Sequence, residues 1–187
     1  MKRKKTAVAL LLILMCVFLL INTPLIWKWM YPIQYKDEIK QAAERFQVDP
    51  MLITAVIRTE SGFQTDRVSH KGAIGLMQIM PDTADWIIEQ AGFNPMSREY
   101  LDEPRVNIDM GTWYLRFLLT MFQEDQVVAI AAYNAGPGKV NKWLKERTWD
   151  GTLDSAENIP YGETRHYVQR VLYYKDRYQQ IYTDDFG

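Results

Sequence analysis

Glu60 is the residue of this 187-residue chain whose type and spacing most invite chemistry. It falls seven residues after Ile53, four after Val56 and three after Ile57, so on a helix it points with their apolar stripe. A carboxyl aimed that way near a helix's C-terminal end loses hydration and sits by the negative pole of the dipole, and both effects raise its pKa. A carboxylic acid that stays protonated near neutral pH can act as a general acid, for instance on a glycosidic oxygen, where a pKa of about 6–7 serves best. The other reading of the same spacing is a structural glutamate paired with a buried Arg or Tyr, and geometry alone leaves both open.

The elements that must position Glu60 read as helices from Tyr35 onward, with no convincing alternating strand and no internal repeat. Asp37 to Phe46 makes a first helix. Asp49 and Pro50 open a second, as N-cap and first-turn proline, and Gly62 closes it after Ser61. A loop over 62–80 contains Gly72 and Gly75. A helix over Asp82–Gln90 follows, and Gly92 with Asn94-Pro95 breaks it. Pro104 to Phe122 is the longest helix. With Val106, Ile108, Met110, Trp113, Tyr114, Phe117, Leu118, Met121 and Phe122 on it, it is expected to be the buried central one. Gln126–Tyr133 is short and apolar, and its alanines favour helix over strand. Gly136-Pro137-Gly138 separates it from a helix around Lys139–Arg147. A last helix begins near Glu163, with Tyr167, Val171, Tyr174, Tyr178 and Ile181 as its packing stripe.

Composition narrows the class. The chain is 48% hydrophobic, with 22 basic against 23 acidic residues, so most of it folds around a core rather than staying disordered. One Cys and two His exclude an internal disulfide and a zinc cluster of Cys and His. Lys2, Arg3, Lys4, Lys5 and Lys28 lie at the N-terminus, where no acid occurs before Asp37, and apart from these five the chain has 17 bases against 23 acids. That excess of acid argues against a nucleic-acid partner. Ala7 to Ile21 is unbroken apolar sequence, Asn22-Thr23-Pro24 interrupts it, and Leu25-Ile26-Trp27 resumes it. The stretch approaches the ~20 residues of a membrane helix. No small-x-small triplet follows it, so an uncleaved signal-anchor is expected, with secretion after cleavage as the alternative. The expected layout is a basic cytoplasmic end at 1–6, a transmembrane anchor at 7–29, a short linker at 30–36, an outer domain at 37–182 and a tail at 183–187, with Trp27, Trp29 and Tyr31 at the outer interface.

Four blocks of sequence then occur in a specific order: Glu60-Ser61-Gly62-Phe63; Ser69 with Gly72-Ala73-Ile74-Gly75-Leu76-Met77-Gln78-Ile79-Met80-Pro81; Ala132-Tyr133-Asn134-Ala135-Gly136-Pro137-Gly138; and Ile159-Pro160-Tyr161-Gly162-Glu163-Thr164-Arg165 with Tyr167-Val168. Together they resemble the soluble-type (family 1) lytic transglycosylases over roughly residues 37–182. The resemblance implies a mainly α, goose-type lysozyme-like domain that cleaves the β-1,4 bond between N-acetylmuramic acid and N-acetylglucosamine in peptidoglycan. It implies Glu60 as the single acid/base, and Tyr133 as a tyrosine hydrogen-bonded to its carboxyl. Ser69, Gln78, Met80 and Asn134 are implied to line the sugar cleft, and Glu163, Arg165 and Tyr167 to line it or contact the peptide stem. From the residues alone, Met77 and Met80 also read as core filling, Tyr133 and Asn134 as a helix terminus, and Glu163 with Arg165 as a buried ion pair holding the last helix.

Ordinary glycoside hydrolysis needs two carboxylates. No convincing second one stands out: Asp66 is nearest in sequence, and Asp82, Asp102 and Asp109 read more simply as solvated or capping residues. In the reaction that the resemblance implies, one suffices. Glu60 protonates the leaving oxygen and then, as carboxylate, takes the proton of the muramoyl C6 hydroxyl, which closes onto C1 with help from the N-acetyl group. No metal or cofactor is called for. The alternatives are a hydrolytic lysozyme and a non-catalytic peptidoglycan-binding protein, the latter disfavoured by Glu60.

Overall fold

Prolines set many of the helix starts in this chain, because a first-turn residue needs no amide proton and proline's fixed φ suits it. The computed structural model describes residues 2–21, 23–183 and 185–186. Expectations that touch Met1, the break at Asn22, and Asp184 and Gly187 of the tail lie outside the described residues. The helices are α1 (Lys2–Ile21), α2 (Pro24–Met30), α3 (Lys36–Phe46), α4 (Pro50–Glu60), α5 (Pro81–Ala91), α6 (Pro104–Met121), α7 (Gln126–Ala135), α8 (Pro137–Lys145) and α9 (Gly162–Ile181). Short 3-10 turns cover Pro95–Tyr100 and Ala156–Asn158. Among the described residues there is no ladder longer than the isolated bridges Val68–Ile74 and Ile74–Ile79.

α4 packs along α9, α3 lies against both α4 and α6, and α7 bridges α6 and α9. The helix expected at the centre, α6, is only half inside. Asn107–Thr112, Leu115, Leu118 and Leu119 are buried, while Trp113, Tyr114 and Phe117 are half-buried beside Trp86 and Met121 is exposed. Apolar content does not distinguish a core face from the wall of a cavity. The innermost helix is α4, where Met51 to Ile57 are buried without a break. At the edge of the core, exposed Arg45 pairs with buried Asp109, joining α3 to α6. Lys175 of α9 reaches Asp49 (3.3 Å) and the Gln126 side chain (3.0 Å) at the starts of α4 and α7.

Residues 24–36, expected as anchor and linker, pack on α9. The Arg177 guanidinium lies over the Trp27 ring, Tyr31 meets Tyr174 and Tyr178 edge-on, and the Tyr182 hydroxyl donates to the Tyr31 carbonyl (2.9 Å). Lys28 and Lys36 both bind Asp185, at 2.9 and 3.0 Å. The side chains of α1 from Leu10 to Leu20 are exposed. Among the described residues no helix is long and apolar enough to cross a membrane.

Candidate active site

Glu60 is the last residue of α4. The Asp49 carboxylate fixes the helix start by accepting the Met51 amide (2.8 Å). At the other end, the Ser61 and Gly62 amides both donate to the Ile57 carbonyl, and Gly62 adopts φ +62°, a left-handed exit that suits glycine. The chain therefore leaves the helix directly after Glu60. The residue faces a cleft of about 380 Å³, which is also lined by Ser69, His70, Lys71, Ala73, Gln78, Met80, Tyr133, Asn134 and Glu163. Two larger hollows lie nearby, one around Trp86 and one around His166 and Arg170, and neither is lined by Glu60.

The 62–80 loop forms one wall by bonding to itself. Ser69 Oγ accepts the amides of Ala73 (2.9 Å) and Lys71 (3.3 Å). Gln78, at φ +49°, donates its Nε2 to the Gly75 and Arg67 carbonyls, at 2.8 and 3.0 Å. Below the loop, buried Asn107 of α6 accepts the Met77 amide (2.7 Å) and donates to the Ile74 and Leu101 carbonyls, at 2.9 and 2.6 Å. Gly75 is required there: a Cβ would collide with the Asn107 amide and the Leu101 carbonyl. Asn134 accepts from Thr164 (2.7 Å), clipping the end of α7 to the start of α9.

Withdrawal from water raises the Glu60 carboxyl from 4.5 to about 7, and Glu163 pushes the same way. The Tyr167 hydroxyl, Arg170 and Arg67 pull it down by less. Tyr167 is thus the phenol whose hydroxyl acts on Glu60. That hydroxyl is buried and makes no hydrogen bond of normal geometry among the described residues. Burial first, and then Glu60, hold the hydroxyls of both Tyr167 and Tyr133 well above their ordinary value.

Three expectations change here. The Tyr133 phenol, expected on the Glu60 carboxyl, donates to the Met77 carbonyl (2.9 Å); a hydroxyl has one proton, and this one is committed to the loop. Glu163 and Arg165 do not form a buried ion pair. Glu163 is largely exposed and lies 3.8 Å from Lys71, while Arg165 donates to the Ile159 carbonyl (3.0 Å). Finally, a second carboxylate does face the cleft: it is Glu163 rather than Asp66. Ser69, Gln78, Met80, Tyr133, Asn134 and Glu163 line the same cleft as Glu60, and buried Tyr167 has Glu60 in its surroundings. Sequence reasoning missed Arg67, His70, Lys71 and Arg170, which carry no motif. It also missed Asn107, although an Asn between Val106 and Ile108 on an apolar helix signals a buried polar anchor.

Residues 37–155 match the family described as Transglycosylase SLT domain. The chain belongs to this family. It is 36% identical over 159 residues to the soluble lytic murein transglycosylase of Escherichia coli strain K12, covering 83% of this chain and 24% of that protein. It is 32% identical over 174 residues to the membrane-bound lytic murein transglycosylase C of Edwardsiella ictaluri, covering 79% of this chain and 47% of that one. The crystal structure of the 70 kDa soluble lytic transglycosylase of Escherichia coli superimposes with a TM-score of 0.79 at 33% identity, over 86% of this chain and 26% of that one. The lytic transglycosylase Slt of Pseudomonas aeruginosa, as an inactive variant with one glutamate changed to glutamine, gives 0.75 at 38% identity, over 82% of this chain and 25% of that one. The fold is therefore the mainly helical, lysozyme-like one of this family. The chain spans about a quarter of the length of these soluble relatives.

Proposed function

We propose that this chain is a membrane-anchored lytic transglycosylase that cuts the β-1,4 bond between N-acetylmuramic acid and N-acetylglucosamine in peptidoglycan and leaves 1,6-anhydromuramoyl ends. The observation that carries the reading is the Glu60 carboxyl, poised at about 7 in a sugar-sized cleft of a Transglycosylase SLT domain. A group with that pKa is protonated often enough to give a proton to the leaving oxygen, and basic enough afterwards to take one from the C6 hydroxyl. Tyr167 orients it, Tyr133 secures the wall that carries Gln78 and Met80, and Ser69, Asn134 and Glu163 line the path of the strand. The inactive Glu-to-Gln variant of the Pseudomonas relative supports a mechanism with one essential glutamate.

Anchoring is supported by the row of exposed apolar side chains on α1, among them Leu11 and Phe18, which water disfavours and lipid accepts. A membrane-bound relative fits the same location. On this reading the N-terminus stays in the cytoplasm and the 37–182 domain works on the wall side.

Glu163 favours one second reading, hydrolysis by two carboxylates. The deciding experiment is mass analysis of fragments released from purified peptidoglycan by the full chain. Disaccharide-peptides one water lighter than reducing-end products support the transglycosylase. Reducing ends that disappear in Glu163→Gln would replace it with a lysozyme. A 70 kDa soluble lytic transglycosylase similar to this chain has been seen in complex with bulgecin A, so inhibition by that compound is a further check.

A further inference from the structure

We infer that the stripe of α9 from His166 to Arg177, with α2 beside it, is a membrane-docking surface that takes the anionic headgroups of phospholipids. The inference rests on the membrane-anchored reading above. His166, Arg170, Tyr173 and Arg177 follow one another at helical spacing, so they share one face of α9. The first three are exposed, and with Glu163, Gln169 and Tyr174 they line an open hollow of about 710 Å³. Arg58 lies over the Tyr174 ring and Arg177 over the Tyr173 ring, both at 5.7 Å. Among the described residues none of Arg58, Arg170 and Arg177 forms an ion pair with an acid. Beyond its N-terminus the chain carries more acid than base, so three unpaired guanidinium groups around one hollow reverse the local sign and suit an anionic partner.

Continuity with the N-terminal segment identifies that partner as lipid. The stripe ends against α2, where Arg177 also covers the Trp27 ring at 5.3 Å and the Tyr31 and Tyr173 hydroxyls lie 3.2 Å apart. α2 thus packs on the domain through Trp27, and Leu25 and Trp29, one turn apart on it, are left 76% and 81% exposed. In sequence α2 comes immediately after α1 and its row of exposed apolar side chains. Arginine with Trp and Tyr at the edge of an apolar segment is the composition of a membrane surface, where rings sit at headgroup level and basic groups meet the phosphates. An acidic wall peptide could meet the arginines but leaves Leu25 and Trp29 unexplained. Glu163 lines both this hollow and the cleft. Docking therefore sets the mouth of the cleft beside the headgroups, and the glycan strands nearest the membrane come within reach of Glu60.

The test is fluorescence quenching of the full chain reconstituted in vesicles that carry a lipid with a nitroxide on its headgroup. One set is phosphatidylcholine alone, the other an equal mixture with phosphatidylglycerol. An environment-sensitive fluorophore is attached at Gln169→Cys or, for comparison, at Met96→Cys, an exposed position on the 3-10 turn that packs on α5 and α6, with Cys16→Ser removing the other thiol. Each arginine near an anionic surface favours contact by about fivefold, so quenching at Gln169 in the mixed vesicles is expected to exceed that at Met96 by about threefold or more. It should fall to the Met96 level in phosphatidylcholine alone and with Arg170→Glu. Equal quenching at the two positions, or quenching at Gln169 that ignores phosphatidylglycerol or Arg170→Glu, would overturn the inference. Should Arg170→Glu fail to fold, the lipid comparison decides. A label that responds to soluble disaccharide-peptides and not to mixed vesicles would also overturn it, assigning the stripe to the acidic peptide stem. Flotation keeps the anchor separate: a chain that floats with neutral vesicles is anchored whatever the label reports, and one that floats with none loses anchor and docking together. Release of anhydro ends is read independently of both.

Discussion

The Tyr133 hydroxyl donates to the Met77 carbonyl over 2.9 Å, so the tyrosine acts first on the loop and only through it on the cleft. Met77 itself is buried against Gly111, where any Cβ would strike its side chain. The next residues, Gln78 and Met80, are the ones that face the cleft. A bond formed behind Gln78 and Met80 thus fixes their position.

Replacing Tyr133 by Phe is expected to lower stability by about 0.5–1.5 kcal/mol, the net worth of one neutral hydrogen bond. Turnover should fall about tenfold through displacement of Gln78 and Met80, while the pH profile stays in place. Thermal melts together with kcat measured across pH check this. A profile that moves with Tyr133→Phe would return the phenol to the Glu60 carboxyl.

Tyr167→Phe should behave differently. The proton donor Glu60 is lost as pH rises through about 7, so kcat/KM should decline above that value. Tyr167 pulls the Glu60 pKa down, so its removal should move the alkaline limb to higher pH. A limb that stays, or moves to lower pH, contradicts the assigned contact.

Glu60→Gln should abolish most turnover, by a factor of about 10²–10⁴ for each proton-transfer role. It should also stabilise the fold. The folded carboxyl holds its proton up to about 7 while the unfolded chain releases it near 4.5, so ionisation costs stability that grows across this window and is complete above it. The variant is expected to exceed the wild type by about 1–3 kcal/mol at pH 8 and to match it near pH 4. Urea denaturation of both proteins at the two pH values measures the difference.

Asn107→Leu keeps the volume but leaves the Met77 amide and the Ile74 and Leu101 carbonyls without their partner. Each buried orphan costs about 1–3 kcal/mol, so a loss of about 3 kcal/mol or more is expected, with a raised KM as the loop loosens. Denaturant midpoints and steady-state kinetics on soluble glycan test both parts.

Helix positions were legible because this chain marks them chemically. Asp49-Pro50 opens α4, Gly62 ends it, and Gly136-Pro137 separates α7 from α8. The direction of Glu60 followed from the 3.6-residue period, and its raised pKa from that direction. The partners of Glu60 did not follow. Tyr167 lies more than a hundred residues away, and only the packing of α9 along α4 brings it beneath the carboxyl. Tyr133 and Tyr167 are both buried phenols with Glu60 in their surroundings, and which one bonds the loop is decided by the path of residues 74–79, which no periodicity encodes. The aromatic residues of α6 read as core because hydropathy counts a ring against protein and a ring facing a hollow alike.

Lys28 and Lys36 meet on the single carboxylate of Asp185, so the incoming and outgoing ends of the domain are tied together. If the N-terminal segment is held in a bilayer while the glycan strand is under tension in the wall, this knot lies on the load path, and from it force passes into α9 through Tyr182, Tyr178 and Tyr174. Farther along that helix stand Tyr167 and Glu163. A pull on such a segment would then be delivered along the same rod that supports the Glu60 carboxyl, and the contacts of Trp27 with Arg177 and of Tyr31 with Tyr174 and Tyr178 feed force into that rod beside the Asp185 knot.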